Sequence, residues 1–265
     1  MVCICGGACT RLLHSSPQTQ EPREQERVTV QRQAVSGFIG ERDRVLLAPG
    51  VWGHRVCFDP SRFTQSVWDQ VGMTSPEALR RATPKRQGEF LAGRLAAHQA
   101  LLEQGMAGHE VGIGADRAPV WPVGFEGSIS HTVLGSVGVA LCAVRPGAAG
   151  IGLDMEAWLD EGEAARLWPV IADEGEWGRL ARSSLGEARA LTLLFSAKES
   201  LFKALYPRVG RYFDFLDASC LCLREGEITL ALNTPLSGSL PAGWHCTLRW
   251  RPLEGGVLTW LLLSE

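Results

Sequence analysis

The sequence predicts an α+β protein built from two halves of similar design. Two long helix-like segments, about residues 83–105 and 184–206, are each followed by strand-like segments, so that the order is helix, strands, connector, helix, strands. Helices and strands in this arrangement pack as helices covering one face of a sheet. A chain of 265 residues is long enough to bury two such cores.

The chain divides into three predicted regions. Residues 1–40 are rich in Gln, Glu, Arg, Ser and Pro and have few apolar residues, a composition that predicts a flexible arm. From Val45 onward the composition becomes typical of a globular domain. The glycine-rich connector "RPGAAG" (145–150) then separates an N-terminal α+β half, residues 41–148, from a C-terminal α+β half, residues 149–265.

The first helix shows start and stop signals. Thr83 is placed to cap it, Pro84 suits its first turn, and Gly105 lies just past its end. Its apolar face is predicted to run through Leu91, Leu95 and Leu102. Two strand-like segments joined by a Gly-containing turn follow within residues 123–144.

The second helix is predicted to stop at Pro207, because proline cannot donate the backbone hydrogen bond of a helix interior. After it the chain alternates four strand-like pieces with turns. These pieces read "SCLCLRE", "EITLALN", "WHCTLRW" and "VLTWLLL".

Composition excludes several classes of partner. The net charge of −3 favours neither a nucleic acid nor an acidic membrane as partner. No apolar run reaches the length of about 18 residues that a membrane span needs, and the N-terminus lacks the pattern of a secretory signal. The expected location is the cytoplasm, where the cysteines stay reduced; Cys142, Cys220 and Cys222 are predicted as small core residues.

The stretch "GIGLDMEAW" (150–158) has the alternation of a strand. Asp154 and Glu156 therefore lie on the same face, with Cα atoms about 6.5–7 Å apart. Two neighbouring carboxylates remain ionised at low cost only beside a cation, or else they share a proton.

A third carboxylate, Glu199, lies on the second helix near its apolar face, which is defined by Leu191, Phe195 and Phe202. Glu199 has two alternative partners. It forms an ordinary helical pair with Lys203 four residues later, or it turns inward to meet Asp154 and Glu156. Three carboxylates from two elements suit Mg²⁺, which usually shares its site with a substrate phosphate.

Four segments together resemble the Sfp-type 4′-phosphopantetheinyl transferases. "GIGLDMEAW" is followed, 45 residues after Asp154, by "FSAKESLFKAL" (195–205). "RQGEFLAGRLAAHQAL" (86–101) and "RAPVWPVGFEGSISHT" (117–132) precede them in the family's order and resemble its enterobactin synthase component D-like branch.

The resemblance implies a pseudo-two-fold pair of similar α+β halves with the active site at their interface. It also implies Mg²⁺-dependent transfer of the 4′-phosphopantetheine arm of coenzyme A to a serine of an apo acyl or peptidyl carrier protein domain, with release of 3′,5′-ADP. The protein is then expected to act as a monomer, because both halves belong to one chain.

Residue roles follow from the same resemblance. Asp154, Glu156 and Glu199 are expected to hold Mg²⁺, with Glu199 and Lys203 as catalytic residues. The residues expected to bind coenzyme A are Arg86, Arg94, Arg117, Ser130, His131, Lys198 and Lys203. Arg94 and Lys198 each have an alternative, non-catalytic role as partners in structural ion pairs. The alternative for His131 is a structural histidine that bonds to a backbone carbonyl.

Two competing functions remain at this point. One is a Mg²⁺-dependent phosphohydrolase or nuclease that uses the same acids. The other is a non-catalytic protein of the same fold that binds coenzyme A or docks a carrier.

Overall fold

The computed structural model describes residues 37–264, apart from residues 148 and 181. The N-terminal half contains a four-stranded antiparallel sheet of order β1-β2-β6-β5 and a small two-stranded hairpin. Its elements are β1 (Ile39–Ala48), β2 (Val51–Phe58), α1 (Ser66–Gln70), α2 (Pro84–Glu103), β3 (Gly112–Ile113), β4 (Pro119–Val120), β5 (Phe125–Leu134) and β6 (Val137–Pro146).

Helix α2 begins as its sequence predicts and packs on β2, β5 and β6. The Thr83 side chain accepts a hydrogen bond from the Arg86 backbone N–H, and Pro84 occupies the first turn. The prediction for Leu102 was wrong, because this side chain is exposed. The last turn presents Leu101 and Glu103 to the sheet instead.

The C-terminal half repeats this plan with a five-stranded antiparallel sheet of order β7-β11-β10-β9-β8. Its elements are β7 (Ile151–Ala157), α3 (Glu161–Ile171), α4 (Glu174–Leu180), α5 (Glu187–Val209), β8 (Ala218–Arg224), β9 (Glu227–Leu232), β10 (His245–Leu253) and β11 (Gly256–Leu262). Each half therefore places one long helix on one antiparallel sheet, which confirms the predicted α+β class.

Helix α5 does not stop at Pro207, as the sequence had suggested, but continues to Val209. The missing proline N–H affects only the last turn of the helix, where a lost hydrogen bond is tolerated. Gly210 ends the helix with φ of +65°, and its N–H donates to the Tyr206 carbonyl at 2.9 Å.

The two sheets contact each other through a shared apolar cluster. Leu141 and Leu47 from the first half pack there with Leu153, Met155 and Leu258 from the second. Around this cluster, Trp260 Nε1 donates to the Leu47 carbonyl at 3.0 Å. The edge strands β5 and β7 also lie side by side, and this contact brings Ser130 of the first half to Asp154 of the second.

Gly152 explains how closely β7 approaches α5. A Cβ atom at this position would lie 1.8 Å from the Ser200 carbonyl oxygen, so only glycine fits without a shift. This glycine is two residues before Asp154 and therefore helps to set the distance between the acidic strand and α5.

Three further expectations can be compared with the described residues. Of the predicted flexible arm, residues 1–40, only residues 37–40 are described, and Phe38 and Ile39 among them are buried in the core. The predicted boundary between the two halves, at residues 148 and 149, stays a prediction. Cys142 and Cys220 are buried free thiols, and Cys222 is half-buried. Within the described ranges no helix is both long and apolar enough to cross a membrane.

Candidate active site between the two halves

Asp154 lies at the centre of the site and is almost completely buried, with 3% of its surface exposed. Its Oδ1 accepts hydrogen bonds from Lys203 Nζ at 2.6 Å and from Ser130 Oγ at 2.9 Å. Its Oδ2 is buried and has no hydrogen-bond partner among the described residues. A buried carboxylate oxygen without a partner is costly, so this atom calls for a ligand.

The other two carboxylates, Glu156 and Glu199, have pKa values raised above their ordinary values. Burial, and after it the charge of Asp154, raises the pKa of Glu156 to about 8. Burial also raises the pKa of Glu199, and Asp154 adds to this rise. The Lys203 ammonium opposes both shifts. A single lysine faces three carboxylates, so the cluster favours a further cation.

The three carboxylates fit a hard cation, although they do not form a ready-made cage. No group of three His, Cys, Asp or Glu side chains in the described ranges is already close enough to hold a metal ion. The fit rests on the unpaired Asp154 Oδ2 and on an all-oxygen donor set, which is the set that Mg²⁺ prefers.

A cationic group from the first half lies next to these acids. Arg86 Nη1 donates to His131 Nε2 at 3.0 Å, which requires an unprotonated Nε2 because arginine has no acceptor. Burial lowers the pKa of His131 to about 4, and Arg86, Lys203 and Lys85 contribute to this shift. Lys203, which adds to this lowering, also donates to Asp154 at 2.6 Å.

Glu89 lies among Lys85, Arg86 and His131. Its Oε2 is 3.9 Å from His131 Nδ1 and 3.9 Å from Arg86 Nη1, and its Oε1 is 3.9 Å from Lys85 Nζ. These distances are at the outer limit of an ion pair, so the carboxylate only partly neutralises the cluster. The group keeps cationic donors available to an anion.

Arg94 is placed differently from its predicted role in binding phosphate. It is buried, stacks over the Phe90 ring, and donates from Nη2 to the Gly112 carbonyl at 2.9 Å. Burial lowers the pKa of Arg94 to about 10. Its observed contact therefore anchors the β3–β4 hairpin rather than facing the cleft.

Arg117 lies exposed in the turn of that hairpin. Asp116 and Arg117 adopt φ of 51° and 63°, an unfavourable region for residues with a side chain. Asp116 Oδ2 accepts a hydrogen bond from Tyr206 of α5 at 2.6 Å, one helical turn after Lys203. The hairpin is thus held at its base by Arg94 and at its turn by the second half.

The expectation that Lys198 binds phosphate is contradicted by its position. Lys198 is 3% exposed, and its ammonium donates to Glu176 Oε2 at 2.8 Å and to the Ile171 carbonyl at 2.7 Å. The ion-pair alternative is the one observed for Lys198. Since the helix turns by about 100° per residue, Lys198 and Glu199 project in different directions from α5.

Comparison with known proteins identifies the family. The profile for the 4′-phosphopantetheinyl transferase N-terminal domain matches residues 75–145, and that for the 4′-phosphopantetheinyl transferase superfamily matches residues 150–248. Enterobactin synthase component D of Salmonella typhi is 41% identical over 210 residues, which cover 78% of this chain and 85% of that protein. The chain belongs to the 4′-phosphopantetheinyl transferase superfamily.

Other members of the superfamily are similar over smaller parts of their length. The 4′-phosphopantetheinyl transferase Svp of Streptomyces mobaraensis is 37% identical over 206 residues, 74% of this chain and 81% of Svp. The 4′-phosphopantetheinyl transferase Npt of Nocardia iowensis is 32% identical over 140 residues, 53% of this chain and 61% of Npt. These similarities confirm the predicted family and the prediction that the chain is a transferase.

Within this phosphopantetheinyl transferase, several contacts of the site were missed by sequence reasoning. Glu89 and Glu176 are the acids beside the basic residues of the two motifs, and Tyr206 holds the hairpin turn. The sequence gives a signal for Glu89 alone, which lies three residues after Arg86 on the same side of α2. Contacts between distant segments, such as Tyr206 with Asp116, leave no such pattern.

Proposed function

We propose that the protein transfers the 4′-phosphopantetheine arm of coenzyme A to a serine of an apo carrier protein. The observation that carries this proposal is the meeting of an acidic cluster with a basic group. Asp154, Glu156 and Glu199 come from the second half, and Arg86, together with the neutral His131 that it contacts, comes from the first. Coenzyme A matches this pattern, because its phosphates can contact both a metal ion and basic side chains.

Asp154, Glu156 and Glu199 are the residues that would hold Mg²⁺. The ion would neutralise charge on the pyrophosphate of coenzyme A when bound. The unpaired Asp154 Oδ2 supports this assignment, as does the raised pKa of both glutamates.

The basic residues would hold the phosphates. Lys203 is within reach of the pyrophosphate, since its ammonium already contacts the acidic cluster. Arg86 and His131 supply donors for the 3′-phosphate, and the exposed Arg117 is a further donor at the hairpin turn. Arginine suits this task because its planar group donates two parallel hydrogen bonds to phosphate.

Glu199 is the best candidate for the general base. The oxygen of the carrier serine attacks the β-phosphorus of coenzyme A, the bond from that phosphorus to the bridging oxygen breaks, and 3′,5′-ADP leaves. Glu199 takes the proton of the serine hydroxyl. A pocket of about 220 Å³ adjoins Glu199, and aromatic side chains, among them Phe202 and Phe215, line it together with Asp214.

The test is mass spectrometry of apo carrier proteins incubated with the enzyme, coenzyme A and Mg²⁺. The expected result is a gain of one phosphopantetheine group on the carrier serine, and Asp154→Asn is expected to abolish it while the protein stays folded. A folded wild-type protein that binds coenzyme A but modifies none of several carrier types would support the non-catalytic alternative instead.

The assembly and location are also proposals. Both halves of the cleft come from one chain, which supports a monomer, and light scattering of the purified protein tests this. The free thiols among the described residues, including buried Cys142 and Cys220, suit the reducing cytoplasm. Cell fractionation tests the location.

A further inference from the structure

The edge strands β5 and β7 are joined by serine hydroxyls rather than by a backbone ladder. Ser128 Oγ accepts from the Leu153 N–H at 3.0 Å and lies 3.4 Å from the Leu153 carbonyl. Two residues later, Ser130 Oγ accepts from the Met155 N–H at 3.0 Å. We call Ser128 and Ser130 the serine seam; it joins the first half to the acidic strand of the second.

Ser130 differs from Ser128 in one contact. Its hydroxyl donates to Asp154 Oδ1 at 2.9 Å, whereas Ser128 contacts only the backbone of Leu153. A hydroxyl has one proton to donate. The proton of Ser130 is engaged by Asp154, and the side chain is buried, with 4% exposed. In this arrangement Ser130 has no proton left to donate to a phosphate.

The contact also determines which oxygen of Asp154 remains available. Oδ1 is held by Ser130 and Lys203, while Oδ2 has no partner among the described residues. Rotation of a carboxylate about χ2 is soft, so its orientation depends on such hydrogen bonds. Lys203 alone is a weak constraint, because its long side chain can move and is one-quarter exposed.

We propose that Ser130 is a positioning residue for the metal site and not a phosphate ligand. This positioning role rests on the proposed function, in which Asp154 is a Mg²⁺ ligand. All three carboxylates come from the second half, yet Ser130 of the first half orients the central one. Loss of a residue that hydrogen-bonds to a metal ligand without touching the metal typically weakens metal affinity by about 10- to 100-fold.

The chain provides a matched control. Ser128 lies on the same strand, is equally buried at 2% exposed, and bonds across the same seam without touching Asp154. Ser130→Ala and Ser128→Ala both remove one buried hydroxyl from the seam. They are expected to lower stability by similar amounts, but only Ser130→Ala removes a hydrogen bond from Asp154.

The experiment uses the full chain and two binding measurements that do not depend on turnover. Mn²⁺ binding is followed by the electron paramagnetic resonance signal of the free ion at saturating coenzyme A, with protein-free coenzyme A as the blank. Coenzyme A binding is measured separately by calorimetry in EDTA. Urea unfolding of each variant gives its stability. Ser130→Cys, which nearly keeps the volume and has only a weak donor, is used in the same way if Ser130→Ala does not fold.

The expected result is at least a 10-fold weaker Mn²⁺ affinity for Ser130→Ala, less than a 3-fold change for Ser128→Ala, and unchanged coenzyme A affinity in EDTA for both. Equal losses of Mn²⁺ affinity in the two variants, or no loss in either, would overturn the positioning role. So would a loss of coenzyme A affinity in EDTA for Ser130→Ala alone, which is the mark of a phosphate ligand. A wild-type protein that binds coenzyme A but binds no Mn²⁺ overturns the proposed metal site as well.

Discussion

The buried ion pair between Lys198 and Glu176 leads to a sharp prediction about stability. The two side chains are 3% and 1% exposed, and their charged atoms are 2.8 Å apart. Glu176 Oε1 also accepts the backbone N–H of Cys220, and Lys198 donates to the Ile171 carbonyl. Burial lowers the pKa of Lys198, and the charge of Glu176 opposes this shift.

Either single substitution leaves one uncompensated buried charge. Lys198→Met or Glu176→Gln is therefore expected to cost about 3–5 kcal/mol of unfolding free energy. For a domain of this size such a loss lowers the melting temperature by about 6–20 °C. The double variant removes both charges and keeps an acceptor for the Cys220 N–H, so it should be more stable than either single variant.

The assay is urea unfolding of the wild type, the two single variants and the double variant, followed by tryptophan fluorescence. An exposed pair provides the control: Arg249 and Glu227 are 2.6 Å apart, but Arg249 is 61% exposed, so Arg249→Met is expected to cost less than about 1 kcal/mol. Single variants at positions 198 and 176 that cost no more than this control would refute the reasoning. A stable Lys198→Met that loses coenzyme A affinity would instead restore the phosphate role.

Three further predictions concern local features. Gly152→Ala is expected to destabilise the protein by about 1–3 kcal/mol or more, because the added Cβ meets a carbonyl oxygen of α5. Gly178→Ala is the control, since a Cβ there meets open space and the change should be neutral or stabilising. Thermal unfolding compares the two variants, and equal melting temperatures would contradict the close approach of β7 to α5. The pKa of His131 is about 4 in the folded protein, below 6.5 in the unfolded chain, so the unfolded state takes up the proton first. Stability should therefore fall as the pH decreases from about 6.5 to 4, less steeply in His131→Gln, and parallel urea midpoints for the two proteins would argue against this. Tyr206→Phe should speed amide hydrogen exchange in residues 112–120 by about 2- to 10-fold, because it removes the bond to Asp116. Tyr212→Phe should not change this exchange, since the Tyr212 hydroxyl bonds to no described residue. Unchanged exchange in Tyr206→Phe would show that the hairpin does not depend on this bond.

Patterns of short sequence range predicted much of the fold. The cap at Thr83 and the glycine at 105 placed α2, and alternation placed β7 with Asp154 and Glu156 on one face. Such signals work because capping, helical period and strand alternation depend on residues within a few positions of each other. The wrong end of α5 shows the limit: the local rule for Pro207 was outweighed by a good cap at Gly210.

The site shows the same division. The sequence by itself determined which elements carry the acids and bases, and the order of the four motifs indicated the family that the comparisons confirmed. Only the tertiary structure decided which of those side chains face the cleft. Lys198 turns to Glu176, Arg94 to the hairpin, and Ser130 to Asp154. Each of these partners is distant in the sequence, and the burial that makes an unpaired charge or hydroxyl costly exists only after the chain has folded.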